Sequence, residues 1–228
     1  MLVKEWNELP EFMQVEEVKP YYDILKKKKL QLILKRLFDI VCSLILIVIL
    51  SPILLILSIW IKLDSKGPVF YRQERITQYG KVFRIFKFRT MITNADKVGT
   101  LVTTQNDSRI TKVGNKIRKC RLDELPQVFN IFLGDMSFVG TRPEVQKYVD
   151  AYTKEMNATL LLPAGVTSLA SIKYRDEDEI IEQKTNEGKP VDQAYIEDVL
   201  PEKMKYNLEY INEFNIGRDL SLCVKTVI

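Results

Sequence analysis

The chain runs to 228 residues, 46% of them hydrophobic, with 34 Lys and Arg against 30 Asp and Glu and no histidine. A chain of that size buries a real core as one domain, or one domain with an appendage. The missing histidine removes Ser-His-Asp and Cys-His catalysis, imidazole bases and His-containing zinc sites. Cys42, Cys120 and Cys223 show no CxxC spacing, which argues against a disulfide framework or zinc knuckle and fits a reducing compartment.

Residues 1–36 contain Pro10, Pro20 and mixed charge, and read as an irregular arm entering a basic amphipathic helix over residues 22–35. The net charge of +4 is modest but unevenly placed. Lys26, Lys27, Lys28, Lys29, Lys35 and Arg36 crowd just before the most apolar stretch, an address for an anionic membrane surface. That stretch, residues 37–61, carries Asp39 as its only charge. At about 1.5 Å per residue it reaches roughly 37 Å, enough to cross a hydrocarbon core of about 30 Å. It starts too far into the chain for a cleavable signal peptide. Ser51-Pro52 interrupts it midway: the proline lacks an N–H and frees the Val48 carbonyl, which the serine hydroxyl can partly satisfy. Basic residues flank both ends, the lysine cluster before and Lys62, Lys66, Arg72 and Arg75 after. One cytoplasmic side for both flanks satisfies the positive-inside rule, so the pattern favours a re-entrant helix-break-helix over a simple span.

Residues 67–91 hold two aromatic-rich runs around Gln78-Tyr79-Gly80, a β-hairpin signature. Lys87 and Arg89 alternate with Phe86 and Phe88; they read either as polar decoration of a half-buried strand or as a phosphate cradle. Residues 111–121 predict a helix that ends by Leu125, because Pro126 follows. Asp123 and Glu124 then fall at a helix C-terminus, the wrong sign for the helix dipole, with Arg118 and Arg121 as local compensation. Residues 134–144 predict a turn, a short strand and a helix start, with Thr141 and Glu144 at capping-box spacing and Pro143 in the first turn. Arg142 there is either a phosphate ligand or a partner of Asp135 or Glu144. The expected fold class is α+β and predominantly helical: arm and basic helix over residues 1–36, re-entrant membrane helix over 37–61, and a small globular cytoplasmic catalytic domain over 62–228. That domain is expected to hold the hairpin and interfacial amphipathic helices.

KRLFDI, the Ser51-Pro52 break, FYRQER, FKFRTM, NDSRITKVG, RLDELPQVFNIFLGDMSFVGTRPE and LPAGVTSLA occur in that order. Together, over about residues 35–228, the chain resembles the bacterial monotopic phosphoglycosyl transferases, sugar transferases that start lipid-linked glycan assembly. The resemblance implies transfer of a sugar 1-phosphate from a UDP-sugar to polyprenyl (undecaprenyl) phosphate, releasing UMP, with Mg²⁺ as cofactor and a covalent phosphosugar on the aspartate of the acidic pair. By matching positions it makes Asp123 the nucleophile and Glu124 its partner, which orients metal held at the pair or relays a proton from the acceptor. Lys87, Arg118 and Arg142 fall around the phosphates, and Ser51 and Pro52 at the membrane break. It also implies membrane lipids as partners, a place at the bacterial inner membrane with the catalytic domain on the cytoplasmic face, and a role in capsule, exopolysaccharide, O-antigen or glycoprotein glycan synthesis. The missing histidine then costs nothing, since an ionised carboxylate attacks phosphorus without a base.

The chain departs from the family pattern in three places. Thr141-Arg142-Pro143 replaces Pro-Arg-Pro, Ala164 replaces a glycine in LPAGVTS, and Asn207 stands where many relatives carry Asp. Asp176-Glu177-Asp178 matches the DxD of metal-dependent glycosyltransferases, an alternative reading that releases UDP. A non-enzymatic membrane-interaction module is the other. Nucleic acid is not an expected partner, because the basic residues gather beside the membrane segment. Neither the sugar nor a homo-oligomer can be read from the sequence.

Overall fold

The computed structural model describes residues 2–93, 95, 108–174 and 176–227. Asn106 and Asp107 of NDSRITKVG and the Asp178 side chain therefore lie outside the described residues. Two 3-10 turns, Trp6–Glu8 and Glu11–Met13, lead into α1, Lys19–Lys27. The arm is irregular as expected, yet it is packed: Val3, Leu9, Met13 and Val18 join Tyr21, Tyr22 and Leu25 of α1 in the largest buried apolar cluster.

The basic helix expected over residues 22–35 is cut at Lys28, whose φ of −105° and ψ of 33° end α1. Its ammonium donates to the Phe214 carbonyl at 2.5 Å, so the kink is held by the domain. Lys26 pairs with Glu5 at 2.5 Å. The basic cluster is thus half committed internally, leaving Lys27 and Lys29 exposed.

The long helix α2, Lys29–Asp64, contains Pro52. The Ser51 hydroxyl donates to the Val48 carbonyl at 2.8 Å, filling the place of the N–H that proline lacks. The break in backbone pairing is therefore local and lies inside one helical element. Leu32, Lys35, Asp39, Ser43, Leu54, Leu57 and Ile61 are buried at spacings of three and four apart from the step of eleven between Ser43 and Leu54, while Leu37, Val41, Leu44, Ile45, Val48 and Ile49 are exposed.

β1, Phe70–Ile76, pairs antiparallel with β2, Val82–Phe88, as the sequence predicts. Tyr79 and Gly80 take φ of 60° and 73° at the turn. Next come α3, Lys112–Lys119; a 3-10 turn, Leu122–Glu124; α4, Gln127–Leu133; and β3, Met136–Val139. After α5, Gln146–Val149, and a 3-10 turn Met156–Leu161, β4, Ala164–Thr167, lies parallel to β3. A Cβ on Gly165 would collide with the Gly140 backbone, so the strands touch there only because both residues lack one. Ala164 fits beside this crossing: its side chain is buried with Phe83, Ile85, Ile131 and Met136, and its amide donates to Thr77 Oγ1 at 3.1 Å.

The remaining helices are α6, Leu169–Lys173; α7, Glu177–Asn186; α8, Val191–Ala194; α9, Leu200–Asn212, joined to α8 by a π turn at Tyr195–Val199; and α10, Ile216–Val227. The predominantly helical α+β expectation holds.

The predicted capping box does not form. Residues 141–145 run without helix and α5 starts only after Val145. The Glu144 carboxylate instead accepts the Tyr195 hydroxyl at 2.5 Å, and its carbonyl accepts the Ile76 amide at 2.9 Å. Both contacts draw the residue away from the helix start.

Three side-chain anchors tie α2 to the domain. Lys35 donates to the Val139 carbonyl at 2.7 Å and to Asp219 of α10 at 2.6 Å, while Tyr210 donates to the same carboxylate at 2.7 Å. Asp39 accepts the Ser137 hydroxyl and the Phe138 amide at 3.0 and 3.1 Å. Arg36 donates to the Ile131 and Phe132 carbonyls, closing the C-terminal end of α4. At the other end of α2, Arg89 donates to the Ser65 and Lys66 carbonyls at 2.7 and 2.8 Å. The second residue of the proposed phosphate cradle is therefore a helix cap, which neither sequence reading anticipates.

Candidate active site

The turn carrying Asp123 and Glu124 is set by Arg121, whose φ of 52° is left-handed and swings the chain off the end of α3. Leu122, Leu125 and Phe129 then pack on Leu50, Leu54, Leu57 and Phe88, pinning the apolar side of the turn to α2. The pair belongs to the lead-in of α4, which begins two residues beyond Leu125, and not to the end of α3. The expected clash with a helix C-terminal dipole is thereby corrected: negative charge ahead of a helix N-terminus is the favourable sign.

Glu124 is 17% exposed and receives two cations on one oxygen. Lys87 reaches Oε1 at 2.8 Å and Arg142 reaches it at 3.2 Å. Three segments distant in sequence, the end of β2, the turn before α4 and the loop after β3, thus meet at a single carboxylate. Burial alone would push Glu124 up, but Lys87 and Arg142 outweigh it and bring its pKa down to about 2. Lys87 sits below the ordinary lysine value because of burial, with Glu124 pushing back.

Among the described residues the Asp123 side chain makes no hydrogen bond or ion pair to another residue; only its own backbone amide bears on the carboxylate as a donor. Burial raises its pKa, Lys87 opposes that and Glu124 adds to it. Adjacent carboxylates thus differ, one bound and held ionised, the other uncommitted. Arg118, in the last turn of α3, has no bonded partner among the described residues, and its charge acts on Asp123 from a distance. Ser51 and Pro52 stand apart from this cluster, exposed on α2.

Behind Arg142 lies a second layer in which Arg75 of FYRQER and Glu144 of TRPE meet Tyr195 and Lys203, residues that no motif announced. Arg75 donates to the Pro143 carbonyl at 3.2 Å. Lys203 donates to the Tyr195 hydroxyl at 2.9 Å and stands 3.6 Å from Glu144. Tyr195 comes from the π turn, which sequence periodicity does not reveal. Asn207 is buried and contacts Met204 Sδ at 3.6 Å, with no ionic partner.

Glu177 of the DxD-like stretch pairs with Lys203 at 3.1 Å, and Asp176 is exposed. Among the described residues no group of three or more Cys, Asp or Glu gathers as a metal nest. A Mg²⁺ commonly uses only one or two carboxylates plus substrate phosphates. The pair fits that demand, because both contacts to Glu124 fall on Oε1 and leave Oε2 free of partners among the described residues.

Comparison with known proteins bears on this cluster. The bacterial sugar transferase family matches residues 30–228, nearly all of the chain beyond α1. The chain belongs to the bacterial sugar transferase family. The chain is 36% identical over 204 residues to a UDP-glucose:undecaprenyl-phosphate glucose-1-phosphate transferase of Klebsiella pneumoniae, covering 87% of this chain and 40% of that one. It is 34% identical over 197 residues to an Aeromonas hydrophila UDP-N-acetylgalactosamine-undecaprenyl-phosphate N-acetylgalactosaminephosphotransferase, covering 85% and 43%. A Caulobacter vibrioides UDP-glucose:undecaprenyl-phosphate glucose-1-phosphate transferase is 32% identical over 197 residues, covering 85% and 68%. The chain spans about two-fifths of the length of the first two relatives. Their names differ in the sugar, so similarity to them selects none.

Proposed function

We propose that this sugar transferase moves a sugar 1-phosphate from a UDP-sugar to undecaprenyl phosphate in two displacements through Asp123. The observation that carries the reading is the uncommitted Asp123 carboxylate beside Glu124, whose Oε1 is fixed by Lys87 and Arg142. In the first step an Asp123 oxygen bonds to the sugar-bearing phosphorus, and the bond from that phosphorus to the bridging oxygen breaks. UMP leaves with the electron pair. In the second step a phosphate oxygen of the lipid bonds to the same phosphorus, the aspartyl oxygen–phosphorus bond breaks, and Asp123 returns as a carboxylate.

The obstacle is repulsion between carboxylate and diphosphate. Lys87 and Arg142 already neutralise Glu124, and Arg118 adds positive charge on the Asp123 side. A Mg²⁺ held by Glu124 and Asp123 would supply further charge neutralisation on the phosphates.

The long apolar helix α2 supports placement at the bacterial inner membrane, with the body on the cytoplasmic face as part of the proposal. Buried contacts with the body occupy α2 up to Ser43 and again from Leu54. The interval between them, residues 44–53, spans roughly 15 Å, about half a hydrocarbon core, and within it Leu50 is partly buried against the cluster of Leu54 and Leu57. A helix gripped by one body near both ends supports re-entry into one leaflet around Ser51-Pro52. Residues 37–61 are then the membrane element and residues 62–228 the cytoplasmic catalytic part.

The test uses the full chain, Mg²⁺ and UDP-sugars without lipid acceptor. About one UMP per site and a phosphosugar adduct on Asp123 are expected, the signature of a ping-pong enzyme. An adduct on Glu124, or full activity in Asp123→Asn, overturns the assignment.

A further inference from the structure

Lys87 reaches Glu124 across a gap between two elements, β2 and the turn before α4. Among the described residues β2 has a single strand neighbour, β1, so its other edge presents backbone groups that no described strand takes up. Asn130 occupies that edge. From within α4, its Oδ1 accepts the Phe86 amide at 2.7 Å and its Nδ2 donates to the Arg84 carbonyl at 3.1 Å. The side chain is 0% exposed.

A carboxamide offers an acceptor and a donor on one planar frame, and here it stands in for one unit of a neighbouring strand. Asp in its place has no donor when ionised, and Ala offers nothing. Residues 84 and 86 straddle Ile85, which is buried with Phe83, Ile131 and Met136. Apolar packing presses β2 on α4 but leaves sliding along the strand undetermined. The paired polar contacts fix the register. Lys87 is the next residue along β2, and the turn bearing Glu124 leads directly into α4.

The geometry points to Asn130 as a positioning residue that sets the register of β2 on α4 and so brings Lys87 onto Glu124. It rests on the proposed reaction only for what Lys87 then does.

Two measurements on the full-length chain test it. Acetylation by acetic anhydride, read by mass spectrometry, reports the reactivity of Lys87 relative to Lys205, whose side chain is 69% exposed. In Asn130→Ala that ratio should rise several-fold while buried Lys35 stays protected. An unchanged ratio overturns the proposal, and so does a rise at Lys35 as well, which reports general loosening. Should the alanine variant not fold, Asn130→Asp retains the acceptor for Phe86, loses the donor to Arg84 and should give a smaller rise.

The second measurement is UMP release with Mg²⁺ and either UDP-glucose or UDP-N-acetylgalactosamine. Asn130→Ala and Lys87→Ala should each slow it, and the double variant should be no slower than Lys87→Ala. Additive losses overturn the positioning role. Absence of UMP release from the unaltered protein with either donor counts against the proposed reaction, while the acetylation ratio still decides the role of Asn130.

Discussion

Glu124 has two cations on one oxygen, and Asp123 beside it has none, so their titrations separate. The folded-state pKa of Glu124, about 2, lies below its ordinary 4.5. Its contribution to stability is therefore complete above about pH 4.5 and lost as pH falls toward 2. Glu124→Gln should remove this part of the acid sensitivity, read as a flatter fall in Tm between those pH values. The shift of Asp123 has the opposite sign. The proposed attack by Asp123 requires the ionised form, so under that proposal the acid limb of UMP release should lie above the ordinary aspartate value of 3.8. Lys87→Ala and Arg142→Ala should each slow turnover by at least about tenfold with the fold intact, which corresponds to about 1.4 kcal/mol lost in the transition state. Near-normal rates in both would reduce the two to structural ion-pair partners. The acidic pair, Lys87 and Arg142 were all legible in the sequence, because motif order carried them. The resemblance also gave Asp123 and Glu124 different roles as expectations; the convergence of Lys87 and Arg142 on one oxygen of Glu124 was not legible, since it depends on which oxygen two distant side chains reach.

Elements that follow local rules came out as the sequence predicts. Alternating aromatics around Gln78-Tyr79-Gly80 made the hairpin, and Thr111 caps α3 by accepting the Gly114 amide at 2.9 Å. Where long-range contacts compete, local reading misled. The capping-box spacing of Thr141 and Glu144 lost to the buried Tyr195 hydroxyl, and the basic helix broke at Lys28 where Phe214 offers a carbonyl. Arg89, plausible on either sequence reading as a surface or phosphate residue, is 5% exposed and closes the end of α2. For α2 itself, Pro52→Ala supplies the Val48 carbonyl with an amide and removes the ring clash, favouring a straight helix. With Cys42, Cys120 and Cys223 replaced by Ser, Glu16→Cys and Lys119→Cys should both resist a membrane-impermeant maleimide in intact cells. Adding Pro52→Ala should expose position 16 in a fraction of molecules. Labelling of position 16 but not 119 without that change would overturn the re-entrant topology.

Across the whole molecule, the family match begins at residue 30, yet the residues before it are not an accessory. Met13, Val18 and Leu25 are fully buried against the same cluster as Leu161, Ile211 and Phe214. Met13→Ala should destabilise the protein by about 2–5 kcal/mol, as large-to-small core changes do, measured as loss of Tm in detergent. A change within a few tenths of a kcal/mol would mean the arm rests on the domain without being part of it. The sequence placed proline and mixed charge in this arm but could not show that its scattered Val3, Leu9, Met13 and Val18 converge, because no regular period links them.

The ion pair between Lys35 and Asp219 joins residues 184 positions apart. During synthesis α2 leaves the ribosome long before Asp219 exists, and long before β3 can meet Asp39. Until β3 emerges, Asp39 within the most apolar stretch and Lys35 just before it lack all of these partners, and until Asp219 is made the Lys35 ammonium still lacks its counter-ion; such groups resist entry into hydrocarbon. Final seating of α2 must therefore wait for α10, making the last helix the step that commits the first long one to its resting place. Nascent chains stalled before residue 219 should consequently be extracted from membranes by carbonate more readily than chains that extend through α10.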